Sequence, residues 1–291
     1  MPAQTSTRIA VRNVAVATDF SACSEHAVEH ALAVARHFGA GLHFLHLLRP
    51  SSFPMAAEVM PALADAADRD YDHLIARLQR DHRLEGIEVH RWVERGEVPD
   101  LAGAFVRDQH IDLLIVGTHG RTGLQRLLLG SVAQQIFHSV RCPVLTVGPR
   151  APGTGPQLQL RRVLFATDLS RESLAAVPYV LTAVEEWHAA LDLLHVCKSG
   201  NPAHRGVMEG LAVGLGRDLD PAGPGAAPHW EVLSGKASPT VLNFAGQHHE
   251  DLIVLGLKPQ RTLYSASTWS HAYEIVRQAP CPVLSIRAAS A

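Results

Sequence analysis

Residues 14–21 read VAVATDFS and indicate the fold, because residues 163–170 repeat them as VLFATDLS at an offset of 149 residues. In both stretches an apolar run of strand length leads into Thr-Asp and then a serine, a residue suited to the N-cap of a helix. A buried strand that turns at once into a helix is typical of parallel sheets whose strands are connected by helices. The repeat therefore predicts such a sheet twice in one chain.

Three further blocks recur in the same order and extend the repeat over almost the whole chain. The blocks are LHFLH and LDLLH at 42–46 and 191–195, DLLIVG and DLIVLG at 112–117 and 251–256, and CPVL twice at 142–145 and 281–284. The offset is 149 residues in the first of these and 139 in the other two, so the second copy is ten residues shorter. Self-similarity of this kind indicates a duplicated domain.

Each copy alternates apolar runs with helical patterns, and the runs have no polar face. This combination predicts an α/β fold of two tandem Rossmann-like domains, each a five-stranded parallel sheet with helices on both faces. The Pro and Gly residues at 149–156 cannot continue a helix or a central strand. We therefore predict a first domain at 1–148, a linker at 149–160 and a second domain at 161–291. In the first copy we expect strands at 13–18, 42–48, 87–93, 112–117 and 143–147, and a last helix at 131–139.

Composition and charge exclude several classes of function. The chain of 291 residues is 47% hydrophobic, and it has a net charge of −2 and only 5% aromatic residues. A chain without a basic block or an aromatic platform is not expected to bind nucleic acid. It has neither a signal-peptide core nor an apolar run of ~18 residues, so we expect a cytoplasmic protein that does not span a membrane.

Spacing alone reveals no metal site. The four cysteines form no CxxC pair and no zinc pattern. His26 and His30 lie four residues apart, as in some zinc sites, but no third ligand is near, so we expect a solvated helix face. Cys142 and Cys281 precede prolines at strand starts and are expected to be small core residues. Cys197 has no base partner visible in the sequence.

The residues after the first and fourth strands are the candidates for ligand binding, because ligands of open α/β sheets bind beyond the carboxyl ends of the strands. Gly117 and Gly120 follow the fourth strand, and Gly130 and Ser131 open the next helix, in the pattern G-x2-G-x9-G-S. Glycines allow close approach of the backbone, and a helix start favours an anion. The pattern predicts a phosphate cradle. The motifs of P-loop NTPases and of Rossmann dinucleotide sites are both absent.

With VATDFS after the first strand, GTHGRTG and GS after the fourth, and a CPVL closing strand, the chain resembles the universal stress protein family, twice and over almost its whole length. The resemblance implies the adenine nucleotide α-hydrolase-like fold and an ATP-binding, stress-response protein, with Mg²⁺ accompanying the triphosphate. It implies adenine and ribose contacts at Ala17, Thr18, Asp19 and Leu47, ribose and phosphate contacts at Gly117, His119 and Gly120, and phosphate contacts at Gly130, Ser131 and Val132. It also implies pairing of the closing strands, 143–147 and 283–287, in a homodimer or in an intramolecular pseudo-dimer.

The second copy departs from this pattern at three positions. At the 139-residue offset Lys258 corresponds to His119, Pro259 to Gly120 and Trp269 to Gly130, whereas Gly256, Ser270 and Asp168 remain. A tryptophan would fill the space that a phosphate needs, and a proline removes an N–H donor. We therefore predict conventional ATP binding in the first copy alone. The second copy is expected to be a scaffold, a dimer half or the site of a different ligand.

Several alternatives remain open. The chain could be a structural or partner-binding module without nucleotide, which the altered second copy favours. It could also be an adenylate-transferring enzyme, although such enzymes have a Ser- and Gly-rich loop where this chain has TDFS. No dedicated general base is evident, so at most slow ATP hydrolysis is expected. Asp19 and Asp168 could instead be helix caps, and the recurrence of His46 and His195 suggests a shared packing or hydrogen-bonding role.

Overall fold

The computed structural model describes residues 8–48, 56–118, 130–155, 157–198, 202–220, 228–258 and 266–288, with backbone alone at 22–23, 56–64, 202 and 266–270. The chain divides into two compact units. The first unit comprises Val11–Pro149 and Gly153–Leu158, and the second is formed mainly by Gln159–Ala291. In the described ranges, no helix has both the length and the apolar character needed to cross a membrane.

The first unit alternates strands and helices from its beginning to its end. Its strands are β1 (Asn13–Ala17), β2 (Gly41–Leu48), β3 (Val89–Arg95), β4 (Leu113–Gly117) and β5 (Val144–Val147), and its helices are α1 (Ala22–Phe38), α2 (Ala56–Arg80), α3 (Val98–Asp108) and α4 (Ser131–Ser139). The strand order is β3-β2-β1-β4-β5, and each pair is parallel. Since the chain moves outward from β1 to β3 and then returns to β4 beside β1, the order reverses between β1 and β4. A crevice at the carboxyl ends of these two strands is the expected ligand position.

Local signals in the sequence account for the ends of these elements. The hydroxyl of Ser21 accepts a hydrogen bond from the Ser24 amide at the start of α1, and Gly39 ends the helix in the left-handed conformation with φ of 62°. The predicted bounds of α4 are confirmed. β3 begins two residues later than predicted, because Ile87 closes a turn by donating to the Leu84 carbonyl. The strand pairings confirm the predicted parallel sheet, and the full burial of Val14–Val16 agrees with a sheet that is covered on both faces.

The second unit repeats the arrangement. Its strands are β6 (Arg162–Thr167), β7 (Ala190–Cys197), β8 (His229–Ser234), β9 (Leu252–Leu257) and β10 (Val283–Arg287), and its helices are α5 (Arg171–Leu174), α6 (Val177–Trp187), α7 (Pro202–Leu219), α8 (Ala237–Gln247) and α9 (Ala266–Gln278). The strand order is β8-β7-β6-β9-β10, again parallel throughout. The single helix α1 corresponds here to two helices, α5 and α6. Pro178, which has no N–H to continue a helix from the preceding turn, lies at the start of α6.

The unit boundary differs from the predicted domain limits at the N-terminus. The described residues before Val11 belong to the second unit, where the amide of Ile9 donates to the hydroxyl of Thr182 over 2.9 Å. The guanidinium of Arg8 also pairs with Glu185 at 2.6 Å. These contacts join residues far apart in sequence, so no local pattern indicates them.

One expectation from spacing is wrong. His30 does not lie on a solvated face with His26; its side chain is buried, and its Nδ1 is 2.8 Å from the His26 carbonyl oxygen. Burial lowers the pKa of His30. The reason is that α1 is covered on most of its circumference, with a continuous buried run from His30 to Ala35.

Candidate functional site

The loop after β1 is a tight turn built by the Thr-Asp-x-Ser sequence. The hydroxyl of buried Thr18 accepts from the Phe20 amide at 3.0 Å and lies 3.1 Å from the hydroxyl of Ser24. Phe20 adopts a left-handed conformation with φ of 60°. Such a conformation is uncommon for a non-glycine residue, so the hydrogen bonds of the turn must hold it.

The same turn recurs in the second copy. The hydroxyl of Thr167 accepts from the Leu169 amide at 3.0 Å and lies 2.9 Å from the hydroxyl of Ser173, and Leu169 has φ of 63°. The repeated sequence therefore specifies one local structure twice. Because the turn is present in both copies, it does not distinguish one copy from the other.

Asp19 has the contacts of a turn-forming residue. Its Oδ1 accepts from both the amide and the hydroxyl of Ser21, at 3.1 and 2.6 Å. Oδ1 of Asp168 accepts in the same way from the amide and hydroxyl of Ser170, at 2.9 and 2.5 Å. The expectation that the aspartates themselves cap the helices is wrong, because the N-caps are Ser21 and Ser170, whose hydroxyls accept from the amides of Ser24 and Ser173. The aspartates hold these capping serines in place, and the same bonds fix the direction of each carboxylate. For Asp19 this supporting role and the predicted ribose contact are compatible, since a carboxylate oxygen can accept more than one hydrogen bond.

Asp168 also faces a cation. Lys258 Nζ lies 3.5 Å from its Oδ2. Partial burial alone would raise the pKa of Asp168, but the hydrogen bonds from Ser170 and the charge of Lys258 outweigh this and hold the pKa below its usual value. In the second copy the position of His119 is thus taken by a lysine that neutralises the aspartate.

His46 and His195 share one hydrogen-bonding role. Nδ1 of His46 is 2.7 Å from the Thr18 carbonyl oxygen, and Nδ1 of His195 is 2.9 Å from that of Thr167. Because a carbonyl only accepts, Nδ1 is the protonated nitrogen in both rings. Each histidine therefore ties the loop after one strand to the neighbouring strand, as their recurrence in the sequence suggested.

The start of α4 lies at the carboxyl end of β4. The amide of Thr118 donates to the Val147 carbonyl at 3.0 Å, and the amide of Gly130 donates to the Thr118 carbonyl at 2.8 Å. The intervening residues 119–129, with the predicted contacts His119 and Gly120, lie outside the described residues. Gly130 is the N-cap of α4, and the first turn of this helix contains no acidic residue. Helix starts of this kind attract anions because their first amides have no partner within the helix.

The predicted contacts on three strands meet at one edge of the sheet. Ala17 ends β1 and pairs with Leu45 of β2 and Val116 of β4. Gly117 is the next residue of β4, and Leu47 lies near the end of β2. The structure therefore brings Ala17, Thr18, Asp19, Leu47, Gly117, Gly130, Ser131 and Val132 to the carboxyl edge of the first sheet.

A cavity of about 240 Å³ adjoins this edge and involves residues that the sequence did not indicate. Arg77 and Glu25 form an ion pair of 2.9 Å beside it. Its lining consists of Thr18, Phe20, Glu25, Val28, Asp70, His73, Leu74 and Arg77. Four of these residues belong to α2, whose inward face depends on how the helix packs rather than on a local motif.

The glycine after the fourth strand has a packing role in the second copy. A Cβ on Gly256 would lie 2.1 Å from the backbone oxygen of Ser173, so no other residue fits there without a shift of α5. Gly256 corresponds to Gly117, and its retention therefore does not require a ligand. Pro259 and the side chains of Trp269 and Ser270 lie outside the described residues.

A comparison of the sequence with models of protein families shows the family to which the chain belongs. The model of the universal stress protein family matches residues 10–148 and again residues 159–287. The chain belongs to the universal stress protein family. Universal stress protein MJ0531 of Methanocaldococcus jannaschii is 28% identical over 138 residues, which cover 47% of this chain and 81% of that protein. Universal stress protein A homolog 1 of Coxiella burnetii is 29% identical over 148 residues, covering 47% and 95%.

A solved structure matches both copies of this universal stress protein together. The crystal structure of a universal stress protein from Archaeoglobus fulgidus aligns with a TM-score of 0.72 and 18% identity, covering 97% of this chain and 99% of that one. At this identity the likeness concerns the fold, and it confirms the predicted α/β architecture of two tandem domains. The two curated relatives, by contrast, each correspond to about half of the chain.

Proposed function

We propose that the first copy binds ATP, accompanied by Mg²⁺, at the carboxyl edge between β1 and β4, and that the protein acts as a nucleotide-dependent regulator in a stress response. The observation behind this proposal is the bond from the Gly130 amide to the Thr118 carbonyl. It fixes the start of α4 at the point where the strand order reverses, which is where ligands of such sheets bind.

The start of α4 suits phosphate oxygens. The first bond within the helix runs from the Gln134 amide to the Gly130 carbonyl, so the amides of Ser131 and Val132 precede the helical ladder. The side chain of Ser131 is exposed and adds a hydroxyl donor. With no acidic residue in this turn, the helix dipole is left to act on a bound anion. Gly130, Ser131 and Val132 would thus hold the phosphates, and Mg²⁺ would neutralise part of their charge.

The other end of the nucleotide would lie near β1 and β2. The carboxylate of Asp19, held in place by Ser21, suits the ribose hydroxyls as an acceptor. The backbone of Ala17, Thr18 and Leu47 would face adenine. In the cavity beside Thr18 the cation Arg77 is already paired with Glu25, and Asp70 adds a negative charge that is unfavourable for a triphosphate. The phosphates are therefore assigned to α4 and not to this cavity, with Gly117, His119 and Gly120 completing the site.

Isothermal titration calorimetry of the whole chain with ATP and Mg²⁺ tests this assignment. We expect about one nucleotide per chain, and loss of binding in Gly130→Trp, which copies the residue of the second repeat. Gly210→Trp is the matched control, because no atom of the described residues lies within 4 Å of a Cβ added to Gly210 in α7. No binding by the unchanged protein, or equal binding by Gly130→Trp, would refute the site. Mass spectrometry of the native protein would show in addition whether nucleotide co-purifies.

Self-association belongs to the same proposal. We infer that β5 and β10, the closing strands, mediate pairing, either between two chains or between the two copies of one chain. Light scattering coupled to size-exclusion chromatography distinguishes the first arrangement from the second by mass.

A further inference from the structure

Three metal-ligating side chains converge at the carboxyl end of β7 in the second copy. His195 and Cys197 are two residues apart on this strand and so point to the same face of the sheet. His204 comes from the first turn of α7. One nitrogen of each histidine and the sulfur of the cysteine all lie within 4.8 Å of one another. The proposed nucleotide site uses none of these residues.

His195 carries its proton on Nδ1, so its Nε2 is the atom that can bind a metal beside His204. Its Nδ1 donates to the Thr167 carbonyl at 2.9 Å, and its Nε2 lies 3.1 Å from Nδ1 of His204. Because the first bond places the proton on Nδ1, Nε2 of the neutral ring has a free electron pair. A backbone carbonyl that holds the other ring nitrogen is the usual support of a metal-bound histidine. In the metal-free protein Nδ1 of His204 donates to this Nε2. A cation between the two nitrogens would break that hydrogen bond, and the neutral ring of His204 would then carry its proton on Nε2 and bind through Nδ1.

Cys197 has little other bonding to explain its presence. Its side chain is buried, and its sulfur is 3.6 Å from the Leu233 carbonyl oxygen, a weak contact at best. A thiolate in this position would supply the negative charge that a buried divalent cation requires.

The first copy provides an internal comparison. His46 has the same bond to its turn as His195, but Leu48 stands where the second copy has Cys197. The two positions are equivalent, since the carbonyl of Leu48 accepts from Gly96 and that of Cys197 from Gly235, at 3.1 and 3.0 Å. The strand therefore forms equally well with leucine. The histidine serves the fold in both copies, whereas the fold does not require the thiol.

We propose that His195, Cys197 and His204 bind Zn²⁺, with the fourth tetrahedral position left to solvent or to an external ligand. Zinc bonds of roughly 2.0–2.3 Å to nitrogen and sulfur require the ligand atoms to be about 3.3–3.8 Å apart. The separation of 3.1 Å between the two nitrogens is close to this range, and all the ligand atoms are already within 4.8 Å. A mixed nitrogen and sulfur set favours zinc over magnesium or calcium. The second copy would thus bind a metal ion at the edge where the first is proposed to bind nucleotide.

Metal titration of the untagged, chelator-treated whole chain tests the proposal. We expect about one Co²⁺ per chain, with the intense visible bands of four-coordinate cobalt and a thiolate-to-cobalt charge-transfer band, all abolished by adding Zn²⁺. Cys197→Leu, which restores the residue of the first copy, should remove the charge-transfer band and weaken Zn²⁺ binding by at least about tenfold. His204→Gln should weaken it similarly. Zn²⁺ should raise the melting temperature of the unchanged protein and not that of Cys197→Leu.

The controls separate this site from others. Cys281→Ala removes a buried thiol at the opposite, amino end of its strand and should leave Zn²⁺ binding unchanged. Absence of the charge-transfer band in the unchanged protein would overturn the proposal. So would Zn²⁺ binding that survives both Cys197→Leu and His204→Gln but is lost in Asp192→Asn, because Asp192, His248 and Glu250 form another cluster of potential ligands. Circular dichroism of each variant confirms that it is folded.

Discussion

Glu250 should make the second unit less stable as the pH rises. No part of its side chain is exposed, and within the described chain neither carboxylate oxygen receives a hydrogen bond. Arg162 Nε is 3.6 Å from Oε1, beyond hydrogen-bonding distance. Arg162 is also held by Asp192, whose carboxylate pairs with it at 2.6 Å and with His229 at 2.7 Å. Glu250 is therefore a buried acid whose nearest cation is shared with another carboxylate.

The size of this loss in stability follows from the raised pKa of Glu250. Burial, reinforced by the charge of Asp192 and opposed by Arg162, raises the pKa of Glu250 from 4.5 to about 8. The folded state thus retains a proton that the unfolded chain loses. The contribution of this group to stability is complete below pH 4.5 and is lost as the pH rises through 8. The loss approaches 1.4 kcal/mol per pH unit as an upper limit, or up to about 3 kcal/mol between pH 5 and 7.

Glu250→Gln replaces the ionisable acid with a neutral side chain of similar shape. We expect the variant to unfold at the same urea concentration as the unchanged protein near pH 4.5 and at a higher one near pH 8.5. Urea titrations at several pH values, followed by circular dichroism, measure the difference. Glu209→Gln, the same change at an exposed position of α7, should leave the pH dependence unaltered. Parallel pH profiles for Glu250→Gln and the unchanged protein would refute the reasoning, as would a variant that is less stable at pH 8.5.

Two further predictions concern packing and titration. Gly256→Ala should destabilise the second unit by about 1–3 kcal/mol or more, because its Cβ would overlap the backbone of Ser173. Gly246→Ala should instead stabilise it by roughly 0.5–1 kcal/mol, because this helical glycine has open space around it among the described residues. Thermal melts that rank the two variants in the opposite order would contradict this. Burial and the neighbouring His90 lower the pKa of His43 to about 4, and its Nδ1 accepts from the Trp92 indole at 3.1 Å, so the ring should stay neutral in the folded state. The stability that neutral His43 contributes should be present above pH 6.5 and lost as the pH falls through 4. An NMR titration of the His43 ring carbons with a midpoint above 6 would disprove the lowered pKa.

Features that depend only on residues close together in the sequence were predictable from it. Ser21 and Gly39 delimit α1 through capping bonds within one turn of each residue, and α4 begins at Ser131 as its preceding glycine indicated. The sequence also predicted that the candidate nucleotide contacts lie together at the carboxyl edge of the first sheet, since parallel strands end on the same side. The burial of His30 was not, because the width of the covered face of α1 depends on the elements that pack around it.

The sequence by itself determined that this chain has two copies of one α/β fold and that the glycine motifs after their fourth strands differ, because a repeat and a glycine pattern are local and can be read in order. Only the tertiary structure decided which distant side chains meet. His204 reaches His195 and Cys197 because α7 packs with its first turn at the end of β7. Asp192 and Glu250 share one arginine because β6 and β7 are paired and the loop before β9 ends beside them. Such contacts depend on how an element is rotated and docked, and that is set by the packing of the whole core.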